Sequence, residues 1–342
     1  MPDDVSTIRR LPAEWEPQDA ILLAWPHGRT DWVDCLAEVQ TVCDRIIRAV
    51  IRFERVILAT PDPDALRGRW PTDRVHLLTV PTNDTWARDF GPITVMDAGR
   101  PCLLDFRFSG WGGKFAADLD DRVTQTLHAQ GVFGDTPLRS IDWVLEGGSI
   151  ESDGAGTILT TTTCLLNPNR NPRFDRQAIE RHLRQTLGGH RILWLSHGHL
   201  AGDDTDAHID TLARLAPEDT IVYVRCHDPE DEHFTDLRAM EIELQAMRTR
   251  AGRPFRLLPL PWPAAKHEAD GHRLPATYAN FLVLNGAVLV PVYNDPNDNE
   301  ALRVVAQAFP HREIIGIDCS VLIRQHGSLH CVTMQLPQGV CV

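Results

Sequence analysis

The stretch Gly202-Asp203-Asp204-Thr205-Asp206-Ala207-His208-Ile209-Asp210 sets several acids and one histidine directly ahead of a largely apolar segment ending at Leu215. Read as a strand, it points His208 and Asp210 to one face of a sheet, because side chains two residues apart share a face. A titratable ring beside a carboxylate suits proton transfer, and a buried Asp calls for a partner such as a cationic substrate. The plainer alternative is a polar strand face open to water. Four further clusters carry reactive or charged types: Trp86-Ala87-Arg88-Asp89, Glu146-Gly147-Gly148, the single Asn280, and Gly327-Ser328-Leu329-His330-Cys331.

Together these types fit attack on a guanidinium group. Its carbon is a poor electrophile, flanked by three nitrogens that share a positive charge, so attack needs a strong nucleophile and a fixed substrate. A Cys thiolate supplies the first, and facing carboxylates supply the second through paired hydrogen bonds to the planar N–H edges. A histidine can protonate the departing ammonia and then take a proton from the water that releases the product.

Each residue also has a plainer reading. Cys331 is one of eight cysteines, and a buried Cys is ordinarily a small inert hydrophobe. Asp89 could cap a turn before Gly91-Pro92, Glu146 could be an exposed turn residue, and Asn280 could bond nearby backbone. Trp86 is expected as a cavity wall, whereas Trp111 is equally compatible with core packing. Asp203 and Asp204 either hold the distal ammonium of a substrate or form a solvated loop. A second class, a metal-dependent hydrolase, rests on His197 and His199 with His208 and Asp210, but neither HExxH nor a paired Cys/His cluster is present. A third is a non-catalytic polyamine binder.

The elements that must position these residues recur. Apolar spacing of three or four predicts helices near 31–53, 115–130, 174–188, 233–250 and 298–309. Each is followed by a strand and then by further strands: 55–59 and 75–80, 137–143, 191–195, 255–260 and 313–317 follow the five helices, with hairpins through Asp97-Ala98-Gly99-Arg100, Ser152-Asp153-Gly154-Ala155-Gly156 and Asn285-Gly286. Strands are also expected over 19–25, 278–284 and 329–335. This five-fold order predicts an α/β architecture of modules around an axis, with each polar cluster at a strand end so that the clusters converge. A doubly wound dinucleotide-binding sheet is the rival, but no GxGxxG follows the first strand and no GxxxxGK[ST] occurs.

The 342 residues include no apolar run long enough to span a bilayer, and a formal charge of −13 disfavours nucleic acid and anionic membranes as partners. The start, Met1-Pro2-Asp3-Asp4, lacks a secretory signal, and the scattered cysteines suit a reducing compartment, so a cytoplasmic location is expected. A homo-oligomer stays open.

The segments Trp86-Ala87-Arg88-Asp89-Phe90-Gly91-Pro92, Leu145-Glu146-Gly147-Gly148, Asp203 to Asp210 and His326-Gly327-Ser328-Leu329-His330-Cys331 resemble successive signatures of the agmatine deiminases. These belong to the guanidine-modifying superfamily that includes bacterial peptidylarginine deiminases and arginine deiminases. Pro12-Ala13-Glu14-Trp15-Glu16-Pro17-Gln18 and Trp25-Pro26 are similar too, so the likeness runs from about residue 11 to 336. It implies a five-bladed pseudo-symmetric α/β propeller, the pentein fold, with residues 1–342 as one catalytic domain. It further implies Cys331 as nucleophile through an amidino thioether, His208 as acid and base, and Glu146 near His208 to hold its orientation and protonation state. Asp89 and Asp210 would grip the guanidinium, with Trp86, Trp111 and Asp204 around the substrate. The implied reaction turns agmatine and water into N-carbamoylputrescine and ammonia, in putrescine and polyamine biosynthesis, without metal or organic cofactor. Peptidyl-arginine or arginine is the alternative substrate.

Two departures stand out. Ala207 occupies a place where many members have Gly, which matters little at negative φ and more if the position needs φ > 0. The segment from His326 replaces a run of glycines and an Asn, altering the wall beside Cys331.

Overall fold

Five short sheets repeat one order of strands: the first antiparallel to the second, the second parallel to the third. The computed structural model describes residues 9–341, so the Met1-Pro2-Asp3-Asp4 start lies outside them. In the second blade, Ile93–Asp97 pairs antiparallel with Arg100–Arg107, which runs parallel to Leu138–Val144. The third blade joins Ile150–Ser152, Thr157–Thr161 and Arg191–Leu195 in the same way, and the fourth joins Ala213–Ala216, Thr220–Val224 and Arg256–Leu260. Leu282–Val283, Ala287–Val292 and Glu313–Asp318 form the fifth. The first blade takes its opening strand from the other end of the chain: Thr333–Pro337 pairs antiparallel with Gln18–Ala24, which precedes Arg55–Thr60 and Val75–Thr79. This pairing closes the ring.

A parallel pair cannot be joined by a tight turn, so each second strand reaches its third through a helix. Leu36–Val50 crosses over in the first blade, where Val39, Val42, Cys43, Ile46, Ile47 and Val50 recur at helical spacing and are all buried. Each such aliphatic side chain contributes about 1.5–3 kcal/mol on burial. Arg176–Leu187 is bounded chemically: the Asp175 side chain accepts from Ala178 N at its start, and Gly188 at φ 72 ends it. The other crossovers are Val123–Ala129, Phe234–Ala246 and Asp298–Ala308.

The middle strands Thr157–Thr161 and Thr220–Val224 are buried along their whole length, as are the opening strands Ile150–Ser152 and Ala213–Ala216, whereas Arg191–Leu195 and Leu138–Val144 are partly exposed. The opening strands therefore lie toward the axis and the third strands outward.

Two expected strands begin later than their apolar runs suggest: 278–284 shrinks to Leu282–Val283, and 329–335 starts at Thr333. The preceding residues pair across blades instead, with His330 N donating to Asn280 O at 3.2 Å. The first helix starts at Leu36 rather than near 31, after a short 3₁₀ turn at Val33–Cys35.

Candidate active site

In each of five places the chemistry-bearing residues occupy the few positions leading into an opening strand. Asp89 precedes Ile93–Asp97, Glu146 precedes Ile150–Ser152, His208 and Asp210 precede Ala213–Ala216, Asn280 precedes Leu282–Val283, and Cys331 precedes Thr333–Pro337. The premise of an extended 208–210 segment is wrong: His208 is the residue before a 3₁₀ turn, Ile209–Thr211, and the strand begins only at Ala213. The two side chains still meet, because the turn folds them toward a shared point rather than because a pleat aligns them.

Gly148 marks that point. A β-carbon there would come within 2.6 Å of His208 Nδ1, 2.9 Å of Asp89 Oδ1 and 3.1 Å of Asp210 Oδ2, so only glycine fits. Its N–H donates to Asp89 Oδ1 at 2.9 Å, and Trp111 Nε1 donates to Asp89 Oδ2 at 2.9 Å. His208 Nδ1 lies 3.6 Å from Asp89 Oδ1. Cys331 Sγ lies 4.0 Å from Asp210 Oδ2 and 3.4 Å from Asn280 Oδ1. Asn280 Oδ1 also accepts from His330 N at 2.9 Å, while its Nδ2 donates to Asp210 O at 3.3 Å. This otherwise unremarkable strand-end Asn holds two loops in register; its spacing in the repeat was its only sequence signal.

A cavity of about 360 Å³ opens over this centre, with Cys331, Asp89, Trp86, Trp111 and Asp204 on its walls. Trp111 is thus a wall as well as a packed ring, set edge-on to Trp86 at 6.4 Å. His208, Asp210 and Glu146 sit directly behind the lining residues, almost wholly out of solvent. Gly327 lies flat against the Trp86 ring, which a β-carbon would strike at 2.1 Å. Sequence reading missed other wall residues: Arg29, Lys114, Asp84 and His326.

Burial dominates the electrostatics. It pushes the Asp89 carboxyl up to about 8, helped by the neighbouring charges of Asp210 and Glu146. It pushes the His208 imidazole down to about 3 and holds the Cys331 thiol well above its ordinary value, with Asp210 and Asp89 adding to the latter effect. Burial would raise Asp210 too, but the His330 hydrogen bond and charge, with His208 and Arg214, hold that carboxyl below its ordinary value. At this centre three buried polar atoms find no protein partner: both ring nitrogens of His208 and Asp210 Oδ1. Leaving such groups unpaired costs about 1–3 kcal/mol each.

Glu146 lies near His208, within 4.8 Å, but its hydrogen bonds go elsewhere. Its carboxylate accepts from Arg170 Nε at 3.0 and 3.3 Å, not from His208, and Arg170 continues to Thr205 O at 2.8 Å and to Asp206. Arg170, unmarked by any motif, ties the third blade to the loop that carries His208. Burial raises the Glu146 carboxyl against the pull of Arg170. Asp203 is committed inside its loop, accepting from Thr205 Oγ1 at 2.6 Å and Ala207 N at 2.7 Å. Ala207 adopts φ 64, so the departure from glycine falls where positive φ is required. His197 and His199 bond Glu243 and Asp236 of the fourth-blade helix at 3.1 and 2.9 Å, away from His208. Among the described residues, Glu146, Cys164 and His208 present possible metal-ligand atoms within 4.8 Å of one another, though Arg170 already engages Glu146.

Residues 10–337 match the model of the Porphyromonas-type peptidyl-arginine deiminase family. The chain belongs to that family. Membership makes it a guanidine-modifying hydrolase, and relatives span its full length. An agmatine deiminase of Stutzerimonas stutzeri is 33% identical, covering 96% of this chain and 95% of its own. A Porphyromonas gingivalis structure provisionally named an arginine deiminase is 52% identical with a TM-score of 0.94, covering 98% of this chain and all of its own. The substrate-bound structure of a cysteine-to-serine variant of C. jejuni agmatine deiminase is 38% identical with a TM-score of 0.92 and 97% coverage of both chains. The five-bladed order agrees with this family's α/β architecture. No helix among the described residues is long and apolar enough to cross a membrane.

Proposed function

We propose that the protein is an agmatine deiminase that uses Cys331 as nucleophile, with residues 1–342 as one catalytic domain. The observation that carries this reading is the set of buried, unpartnered atoms around the thiol: Asp210 Oδ1 and both nitrogens of His208. A guanidinium placed there gives Asp210 Oδ1 the N–H donor it lacks, brings a positive charge to Asp89 and puts its carbon beside Sγ. The cation also stabilises the thiolate and the ionised Asp89, both disfavoured by burial.

Thiolate attack on the guanidinium carbon forms a C–S bond. The thiol proton passes to His208, which delivers it to the departing nitrogen as the C–N bond breaks and ammonia leaves. Water, deprotonated by His208, then attacks the amidino thioether; the C–S bond breaks, the thiolate returns, and the product is a ureido compound. With agmatine, that product is N-carbamoylputrescine.

Agmatine is favoured because Asp31, Asp84 and Asp204 line the same cavity and suit a distal ammonium. Relatives named agmatine deiminase match the chain end to end. A second reading, arginine or peptidyl-arginine, is favoured by Arg29 on the same wall, whose guanidinium makes no ion pair among the described residues and could receive a carboxylate. The deciding experiment is ammonia release from agmatine, free arginine and a peptide ending in arginine. Agmatine is expected to have the highest kcat/KM; a higher value for either other substrate transfers the assignment to it, and release from none removes it. Eight free cysteines, seven of them buried, support a reducing cytoplasmic setting.

A further inference from the structure

Behind the thiol, on the side away from the substrate cavity, lies a charge cluster that the reaction above does not use. Arg214, in the opening strand of the fourth blade, is 1% exposed, yet carries a full positive charge. Its Nη2 donates to Glu14 Oε2 at 2.7 Å, its Nε bonds Glu151 of the third blade, and its guanidinium lies 4.5 Å from the centre of the Phe281 ring. Glu14 Oε1 accepts from Val283 N at 2.7 Å, so the N-terminal arm is anchored in the fifth blade as well. A pair so deeply buried needs nearly complete hydrogen bonding merely to offset desolvation.

His330 connects this cluster to the site. Its Nε2 lies 2.8 Å from Glu14 Oε2 and its Nδ1 lies 2.7 Å from Asp210 Oδ2. Both ring nitrogens thus face carboxylate oxygens, and Nε2 also lies 3.1 Å from Arg214 Nη2, so the ring is held at both edges. Two such bonds fix its rotation. The backbone finishes the arrangement, since Asn280 Oδ1 accepts from the N–H of both His330 and Cys331, at 2.9 and 3.3 Å. His330 faces a separate, small cavity of about 50 Å³ that it shares with Glu14, Arg88 and Glu151, whereas Cys331 faces the substrate cavity. Adjacent residues thus face different cavities yet meet at one oxygen, Asp210 Oδ2, at 2.7 Å from His330 Nδ1 and 4.0 Å from Cys331 Sγ.

We infer that His330, braced by Glu14 and Arg214, is a positioning residue that holds Asp210 by Oδ2 and so leaves Oδ1 free for the guanidinium. It touches no substrate atom. Asp210 is left with one oxygen bound and one free, and the free one is among the unpartnered buried atoms. Asp89 differs, since both of its oxygens accept from neutral donors, Gly148 N and Trp111 Nε1. The contrast separates the roles of the two acids: Asp210 stays ionised to receive the cation, and Asp89 ionises when the cation arrives. The charged and titratable groups facing Asp210 are His208, His330, Cys331, Asp89 and Arg214; those facing His330 are Glu14, Asp210, Arg214, Arg88 and Glu151.

This inference rests on the guanidine-hydrolase reading, and wild-type ammonia release from agmatine tests that reading separately. The positioning role is tested with His330→Leu, His330→Asn and Glu14→Gln in the full-length protein. His330→Leu is expected to raise the agmatine KM at least tenfold, with a smaller fall in kcat, and to add a second ionisation to the acid limb of the kcat/KM profile as Asp210 loses the hydrogen bond that holds its carboxyl down. His330→Asn restores a donor to Asp210 and should recover most of the lost KM. Glu14→Gln keeps the shape of the brace without its charge and should raise KM several-fold in the same direction. A purely structural role predicts less folded enzyme with an unchanged KM and pH profile. That outcome in His330→Leu overturns the inference, and if His330→Leu does not fold, the same outcome in Glu14→Gln overturns it.

Discussion

Cys331 cannot be a ready-made thiolate, because burial and two carboxylates all oppose its ionisation. Its alkylation by iodoacetamide should therefore be slow at neutral pH and rise only in alkaline solution, whereas a saturating non-reacting guanidinium should move the curve to lower pH. Identical curves would count against substrate-assisted ionisation. Cys331→Ala should release no detectable ammonia while keeping a wild-type melting temperature to within a few degrees. His208→Ala, which removes the proton carrier, is expected to lower kcat by roughly 10²–10⁴. Asp210→Asn should raise the agmatine KM by at least tenfold, because the cation then enters a buried site with one charge partner missing. Unchanged kinetics in either variant takes that residue out of the mechanism.

At the scale of the element, the loops ahead of the opening strands trade local comfort for aim. Ala207 at φ 64 bears a left-handed conformation that L-residues other than glycine and asparagine seldom accept. Ala207→Gly should therefore stabilise the protein by about 0.5–1 kcal/mol after allowing for the greater entropy of unfolded glycine, measured by denaturant unfolding. A loss of stability would show that the alanine methyl has a packing role that outweighs the strain. Gly148→Ala should do the reverse and more. Its β-carbon would drive apart His208, Asp89 and Asp210, so turnover should collapse even if the overpacking costs only about 1–3 kcal/mol of stability.

For the molecule as a whole, buried acids in and beyond the site set a pH dependence of stability. Asp89 and Asp120 are both pushed up to about 8 by burial, and Glu54 to about 7. A carboxyl raised in the folded state favours folding fully below its unfolded value and loses that contribution as pH climbs to the folded one. His208, lowered to about 3, acts oppositely, losing stability as pH falls below the ordinary histidine range. The two effects oppose each other in mild acid, and only the acids act above about pH 6.5. Unfolding at pH 6.5 and 8.5 should therefore show lower stability at the higher pH, with agmatine bound to Cys331→Ala reducing the difference. Equal stabilities would mean that these carboxyls ionise freely in the folded protein.

The chain by itself determined the five-fold order of helix and strand, since apolar periodicity and hairpin turns are local properties, and its motif segments already singled out Cys331, His208, Asp210 and Asp89. It could not show that His208 and Asp210 meet through a 3₁₀ turn, because a six-residue polar approach to a strand reads the same whether extended or turned. Nor could it show that Glu146 answers to Arg170, that Ala207 needs positive φ, or that His330 bridges Glu14 and Asp210. Those partners stand up to 316 positions apart in sequence and become neighbours only when the closing strand pairs with Gln18–Ala24 and brings both ends of the chain to one axis. Local pattern specifies blades; the charges buried between them are decided by ring closure, because a carboxylate's protonation and aim depend on every group that replaces its water.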